Sequence, residues 1–196
     1  MEMHSSQIPV MATESVHHHL FDTTLGRCGV AWSTRGLAAV QLPEKDAAAT
    51  EHRLAAKSGS AGAADPPPAI AALIGDIRRY LAGERIDFAA VPVDLAVCDE
   101  FRRKVYGALR QVAFGSTTTY GDLARAAGTA DWERVKDVGE AMGRNPAPIV
   151  IPCHRCLAAG GKLGGFSAYG GTMTKQKLLA LEGVHLDAGA PRLPGL

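Results

Sequence analysis

What this 196-residue sequence lacks bounds it before any motif does. Cysteine is scarce. Cys28, Cys98, Cys153 and Cys156 are the full set, which does not suggest a disulfide framework in a chain of this size. No apolar run approaches the ~20 residues that span a bilayer, and the polar N-terminal stretch has no signal-peptide hydrophobic region. No membrane association is expected, and cytoplasmic residence is, in a reducing setting that suits a free thiol. A strong excess of either charge is missing too. The 21 Lys+Arg and 20 Asp+Glu leave a net charge of +1, which argues against a broadly basic nucleic-acid binder. The balance is uneven, however: residues 1–97 carry 8 Lys+Arg against 11 Asp+Glu, and residues 98–196 carry 13 against 9. The second half is therefore the one suited to an anionic partner. With 46% hydrophobic residues, the chain can bury a core as one or two small domains.

One stretch carries the chemistry: Ile149-Val150-Ile151-Pro152-Cys153-His154-Arg155. The β-branched run reads as a strand that stops at Pro152, because proline cannot donate to a ladder. A thiol and an imidazole then meet at the strand end. A free thiol has a reference pKa of about 8.5 and is only slightly ionised at neutral pH. A neighbouring base, or the positive charge Arg155 could bring, raises its nucleophilicity. The competing reading is a buried structural cysteine beside a chance histidine. Arg144-Asn145-Pro146 just upstream, and Glu182 ending a helix downstream, favour the nucleophile.

Taken in order, residues 1–19 are polar and unpatterned and read as a disordered tail. His17-His18-His19 has no cysteine or carboxylate at ligand spacing, so no metal is expected there. Residues 20–42 read as two or three strands in an antiparallel meander with a turn at Thr34-Arg35-Gly36. Residues 44–57 suit a helix, and 58–68, full of Gly, Ala and Pro, a loop. Ile70, Leu73, Ile74, Ile77 and Leu81 share one helical face, stopped by Gly83. Residues 86–93 give a last extended piece, so a small α/β domain spans 20–97. A second domain, 98–185, opens on a helix with Phe101, Val105, Leu109 and Val112 at helical spacing. Short helices at 121–127 and 132–143 around a tight turn fit a helix-turn-helix. Glycines at 160–161 and 164–165 mark a loop, 172–181 is the closing helix, and 186–196 is a peripheral tail.

Tyr120-Gly121-Asp122-Leu123-Ala124, Val138-Gly139-Glu140-Ala141-Met142, Asn145-Pro146, Ile151-Pro152-Cys153-His154-Arg155 and Lys175-Gln176-Lys177-Leu178-Leu179-Ala180-Leu181-Glu182-Gly183 follow in that order. This series resembles the O6-alkylguanine-DNA alkyltransferase family, also called methylated-DNA–protein-cysteine methyltransferases. The resemblance covers about 101–183, and Phe21-Asp22-Thr23-Thr24-Leu25-Gly26 is similar to that family's first strand. It implies an α/β N-terminal domain, a small antiparallel sheet with helices, followed by a mainly α, winged-helix-like alkyltransferase domain. It also implies a monomer that acts on double-stranded DNA containing O6-alkylguanine, with O4-alkylthymine as a further candidate. Cys153 would take the alkyl group as a thioether, a poor leaving group, so one molecule would repair one lesion without metal or redox cofactor. By the same resemblance His154 is the base, Glu182 orients it, Tyr120 donates to the leaving guanine, and Asn145 ties the recognition helix to the cysteine loop. Gly139 and Arg155 fall among the implied DNA and substrate contacts, with Ser167, Tyr169 and Gly170 in a loop over the extruded base. Lys136 stands where the family has an arginine that fills the vacated stack, and Arg134 lies two places earlier. Lysine lacks the planar group that stacks on bases. Asp137 and Glu140 put acids on the same helix, so modest, salt-sensitive duplex binding is expected.

Three other readings compete. Cys153-His154-Arg155-Cys156 has the spacing of a thiol–disulfide motif, but the segment after it is too short for the helix that motif needs. A binding-only module for alkylated bases is opposed by the retained Cys153. An alkyltransferase working on a non-duplex substrate is suggested by Lys136, Asp137 and Glu140.

Overall fold

The computed structural model describes residues 15–128 and 133–186. Strands β1 (His17–Thr23), β2 (Gly26–Ser33) and β3 (Gly36–Gln41) form the antiparallel meander. At Gly36 (φ 130°) a Cβ would stand 2.5 Å from the Pro92 carbonyl oxygen, so both the turn and the close approach require glycine. That approach lets Leu37 N donate to Pro92 O at 2.9 Å and Asp94 N donate to Leu37 O at 2.8 Å. The extended piece expected near 86–93 is therefore a single bridge between Leu37 and Val93, not a strand.

Two further expectations for this half are corrected. Strand β1 begins at His17, inside the stretch read as a tail. Its second residue explains why: His18 is 4% exposed, with Nδ1 2.7 Å from Ser60 Oγ and Nε2 3.2 Å from Glu51 Oε1. The sheet is also mixed and not purely antiparallel, because β4 (Gly62–Ala63) pairs parallel with β1 to give the order β3-β2-β1-β4. Two small residues carry no strand signal of their own.

Helix α1 (Ala47–Ser58) starts where the Asp46 side chain accepts from Ala49 N and ends at Gly59, φ 66°. Helix α2 (Pro68–Leu81) has proline in its first turn and buries Ile70, Leu73, Ile74, Ile77, Tyr80 and Leu81. In the second half, α3 (Glu100–Arg110) is capped by Asp99, and α4 (Tyr120–Ala126) by a reciprocal Thr119–Asp122 capping box. Helix α5 (Glu133–Gly143) packs against α4, and most of the tight turn expected between them, residues 129–132, lies outside the described residues. Tyr106 donates to Ala141 O at 2.8 Å and fixes α3 to α5. The strands β5 (Thr118–Thr119) and β6 (Cys156–Leu157) pair in parallel, and α6 (Thr172–Leu181) closes the described chain. One hydrophobic cluster runs from Phe21 and Val40 through Ile77 and Tyr80 to Val105, Ile151 and Leu178. The two halves share a core. No described helix is long and apolar enough to cross a membrane.

Candidate active site

The cysteine is presented by a buried turn. Residues 148–150 are turn and Ile151 is a bend, so the strand expected from Ile149-Val150-Ile151 does not form. Asn145 explains the difference. Its Nδ2 donates to Ile151 O at 2.8 Å, its Oδ1 accepts from Ala147 N at 3.0 Å, and Ile151 N donates to Ala147 O at 2.7 Å. These bonds fold the segment back on itself and leave no ladder for a strand. Ile149 is thereby held at φ 77°, a left-handed conformation that a β-branched residue avoids. Such strain costs about 1–3 kcal/mol. Burying the Ile149 side chain, 1% exposed, returns about 1.5–3 kcal/mol, and the Asn145 bonds add about 1 kcal/mol each. The turn then delivers Cys153, His154 and Arg155 as a single 3-10 turn.

Behind the thiol, His154 is fully buried and its Nε2 lies 2.8 Å from Glu182 Oε1. An ionised carboxylate only accepts, so Nε2 carries the ring proton and Nδ1 is an acceptor. Nδ1 is buried without a protein hydrogen-bond partner. Glu182 follows the last residue of α6, where the helix dipole disfavours a carboxylate by about 0.3–1 kcal/mol. Five donors outweigh that. Oε1 also accepts from Tyr80 OH at 2.7 Å and Arg155 Nη2 at 2.9 Å, and Oε2 accepts from Arg155 Nε at 2.9 Å and Gly115 N at 3.1 Å. Burial alone would raise the carboxyl's pKa. The hydrogen bonds from His154 and Arg155 prevail and hold it well below the usual carboxylate range. For His154 burial prevails over Glu182, so its pKa lies below the ordinary histidine value and the ring is neutral. Arg155 therefore supplies the countercharge and leaves the imidazole free to act as a base.

Cys153 is 5% exposed and lines a cavity of about 300 Å³ with Gln41, Lys57, Asn145, Phe166 and Ser167. Burial pushes its thiol up, while the Asn145 side chain and the ammonium groups of Lys57 and Lys175 work against that. The resting thiol is protonated. A protonated thiol needs a base before it can attack.

The structure thus brings Cys153, His154, Asn145 and Glu182 together. Tyr120 is half-buried, its ring against Gly164, where a Cβ would come within 3.0 Å. Burial, with the Cys156 and Cys153 thiols adding, pushes its phenol up to about 12, so it keeps its proton. Arg155 is 7% exposed and turned inward, donating to the Glu182 carboxylate and to Val112 O. Of the loop residues, Ser167 lines the cavity and its carbonyl accepts from Arg53 Nη2, whereas Tyr169 is 57% exposed and does not line it. Gly170 (φ 82°) lies beside Thr174 Oγ1, which a Cβ would meet at 2.6 Å. Lys136, Asp137 and Glu140 are exposed on α5 and Gly139 is half-buried, while the Arg134 side chain lies outside the described residues.

Sequence reasoning missed Tyr80, Lys57 and Lys175. Tyr80 alone left a signal: it continues the aliphatic face of α2, and a buried hydroxyl there demands a partner. The redox reading fails on geometry and charge. Cys153 starts a three-residue turn, its thiol is raised, and Cys156 is pushed up to about 12 by burial, where such a motif needs a low-pKa thiol at a helix N-terminus.

Two family models match the chain, each over one part of it. The family model described as 6-O-methylguanine DNA methyltransferase, ribonuclease-like domain, matches residues 16–95. The one described as 6-O-methylguanine DNA methyltransferase, DNA binding domain, matches residues 100–184. The methylated-DNA--protein-cysteine methyltransferase of Methanothermobacter thermautotrophicus is 35% identical over 159 residues, 81% of this chain and 81% of that protein. The Mycolicibacterium paratuberculosis protein of the same name is 41% identical over 127 residues, 65% and 73% of the two chains. Among solved structures, Mycobacterium tuberculosis OGT in complex with DNA superposes with a TM-score of 0.68 at 29% identity, covering 85% of this chain and 93% of that one. The O6-methylguanine-DNA methyltransferase of Pyrococcus kodakaraensis gives a TM-score of 0.63 at 29% identity, with coverage of 86% and 99%.

Proposed function

Because the chain belongs to the 6-O-methylguanine DNA methyltransferase family, we propose that it repairs DNA by moving the alkyl group of O6-alkylguanine onto its own Cys153. One observation carries the assignment of the site: a buried, protonated thiol opens onto a base-sized cavity and is backed by a neutral histidine whose free ring nitrogen is an acceptor. His154 Nδ1 takes the thiol proton through a bridging water, and Glu182 with Arg155 steadies the imidazolium that forms. The sulfur attacks the alkyl carbon, the S–C bond forms, and the C–O6 bond breaks with its electron pair going to guanine. Tyr120 gives its proton to the departing ring, where negative charge develops. The thioether is stable, so each molecule acts once.

A base in a duplex must first be extruded, at roughly a few kcal/mol. In this reading α5 enters the DNA, with Arg134 or Lys136 filling the gap, and the protein works as a cytoplasmic monomer divided functionally at about residue 97. Exposed Asp137 and Glu140 on α5 favour a second reading, transfer from single-stranded or free alkylated base. Intact-protein mass after incubation with an O6-methylguanine oligonucleotide, single-stranded and duplex in parallel, separates the two. A gain of one methyl from duplex, abolished in Cys153→Ser, supports the first. Gain from the single strand alone supports the second, and no gain from either removes both.

A further inference from the structure

The relay behind Cys153 is built from the second half of the chain, with one exception. Tyr80 lies in the last turn of α2, in the first half, and is 1% exposed. Its hydroxyl donates to Glu182 Oε1 at 2.7 Å and stands 3.2 Å from His154 Nε2. Phe88 and Phe114 meet its ring edge-on, with centroids 5.6 and 6.2 Å away, and fix where the hydroxyl points. We propose that Tyr80 is a positioning residue of the alkyl-transfer site, whose hydroxyl lowers the proton affinity of the Glu182–His154 pair and keeps Nδ1 of His154 available for the thiol proton. The inference rests on the alkyl-transfer reading and adds to it a control on the base from the other half of the molecule.

Each hydrogen bond donated to a carboxylate makes it a weaker acceptor for the next donor. Oε1 is shared by Tyr80, His154 and Arg155. Without the Tyr80 hydroxyl, Oε1 draws harder on Nε2–H, the ring becomes more electron-rich, and Nδ1 binds a proton more tightly. An imidazolium cannot accept the thiol proton, so the acidic limb of the reaction moves to higher pH. The tyrosine itself does not titrate in this range: burial, with Glu182 adding, raises its phenol further above the ordinary value, and it stays a donor. A tyrosine present only for packing gives a different pattern, a loss of rate or stability that is the same at every pH.

The test uses the full chain. Tyr80→Phe keeps the ring between Phe88 and Phe114 and removes only the hydroxyl. Methyl transfer from an O6-methylguanine duplex to Cys153 is timed from acid to mildly alkaline pH, and the His154 titration is followed by imidazole ¹⁵N NMR without any substrate. The acid limb and the His154 titration should both move up by about one pH unit, so that transfer falls about tenfold on the acid side and is unchanged at alkaline pH. Tyr80→3-fluorotyrosine, a stronger donor of the same shape, should move both the opposite way, and it decides the matter if Tyr80→Phe does not fold. An unshifted His154 titration in these variants overturns the role. Wild-type protein that gains no methyl would overturn the alkyl-transfer reading instead, and the NMR arm would still judge Tyr80.

Discussion

In the proposed reaction Tyr120 and His154 act on opposite sides of the bond that breaks, so their variants should separate two reactions. Tyr120→Phe should slow transfer from O6-methylguanine by an amount within the ~10²–10⁴ range of general acid catalysis. It should barely change the reaction of Cys153 with iodoacetamide, which has no guanine to protonate. His154→Ala should slow both. Equal slowing of the two reactions by Tyr120→Phe would make the tyrosine a support of the thiol, not a proton donor. Glu182 makes a separate claim on stability. Its folded carboxyl titrates below the usual range, and the unfolded one near the reference value of about 4.3. Its stabilisation is therefore complete above the unfolded value and is lost as pH falls through the lower folded one. Glu182→Gln should remove that part of the acid sensitivity and leave the buried Arg155 without its carboxylate, at a cost of about 3–5 kcal/mol. Urea unfolding of both proteins at neutral and acid pH checks this; an acid profile unchanged by the substitution would mean that other carboxylates set it.

Among the elements, α5 carries the sharpest prediction. It presents Lys136, Asp137 and Glu140 to solvent, with Glu140 paired to Arg144 at 2.7 Å. Asp137→Ala should tighten duplex binding by removing repulsion from phosphates, and the tightening should shrink as salt rises. Arg134→Ala or Lys136→Ala should slow repair of duplex more than of free O6-benzylguanine, measured side by side. If neither does, no side chain from this helix fills the vacated stack. The elements also show what could be read from residue order. Helices with a strong apolar stripe and a cap, such as α2 with Ile70, Leu73 and Ile77 or α3 behind Asp99, were legible because local chemistry alone specifies them. The cysteine segment was not. Ile149-Val150-Ile151 has the composition of a strand, and the bonds of the Asn145 side chain, together with burial, override that preference.

Across the whole molecule, the candidate catalytic group sits where two halves meet over one core. Cys153 and His154 stand in one sequence motif and Glu182 in another, and the fold joins them. Lys57 was not legible, and Tyr80 showed only its place on the α2 face and not its partner, because their contacts bridge long sequence separations, 102 residues in the Tyr80–Glu182 bond. The inward turn of Arg155 was not legible either, because nothing in the local sequence shows that a carboxylate 27 residues away holds it. A thioether is a poor leaving group, so the proposed transfer leaves each molecule spent after one event. The most direct measurement is therefore a titration of wild-type protein with excess O6-methylguanine duplex, followed by peptide mapping. One methyl per protein molecule, all of it on Cys153, with no further repair by the recovered protein, is the expected result. Repeated turnover, or methyl on Cys28, Cys98 or Cys156, would contradict it.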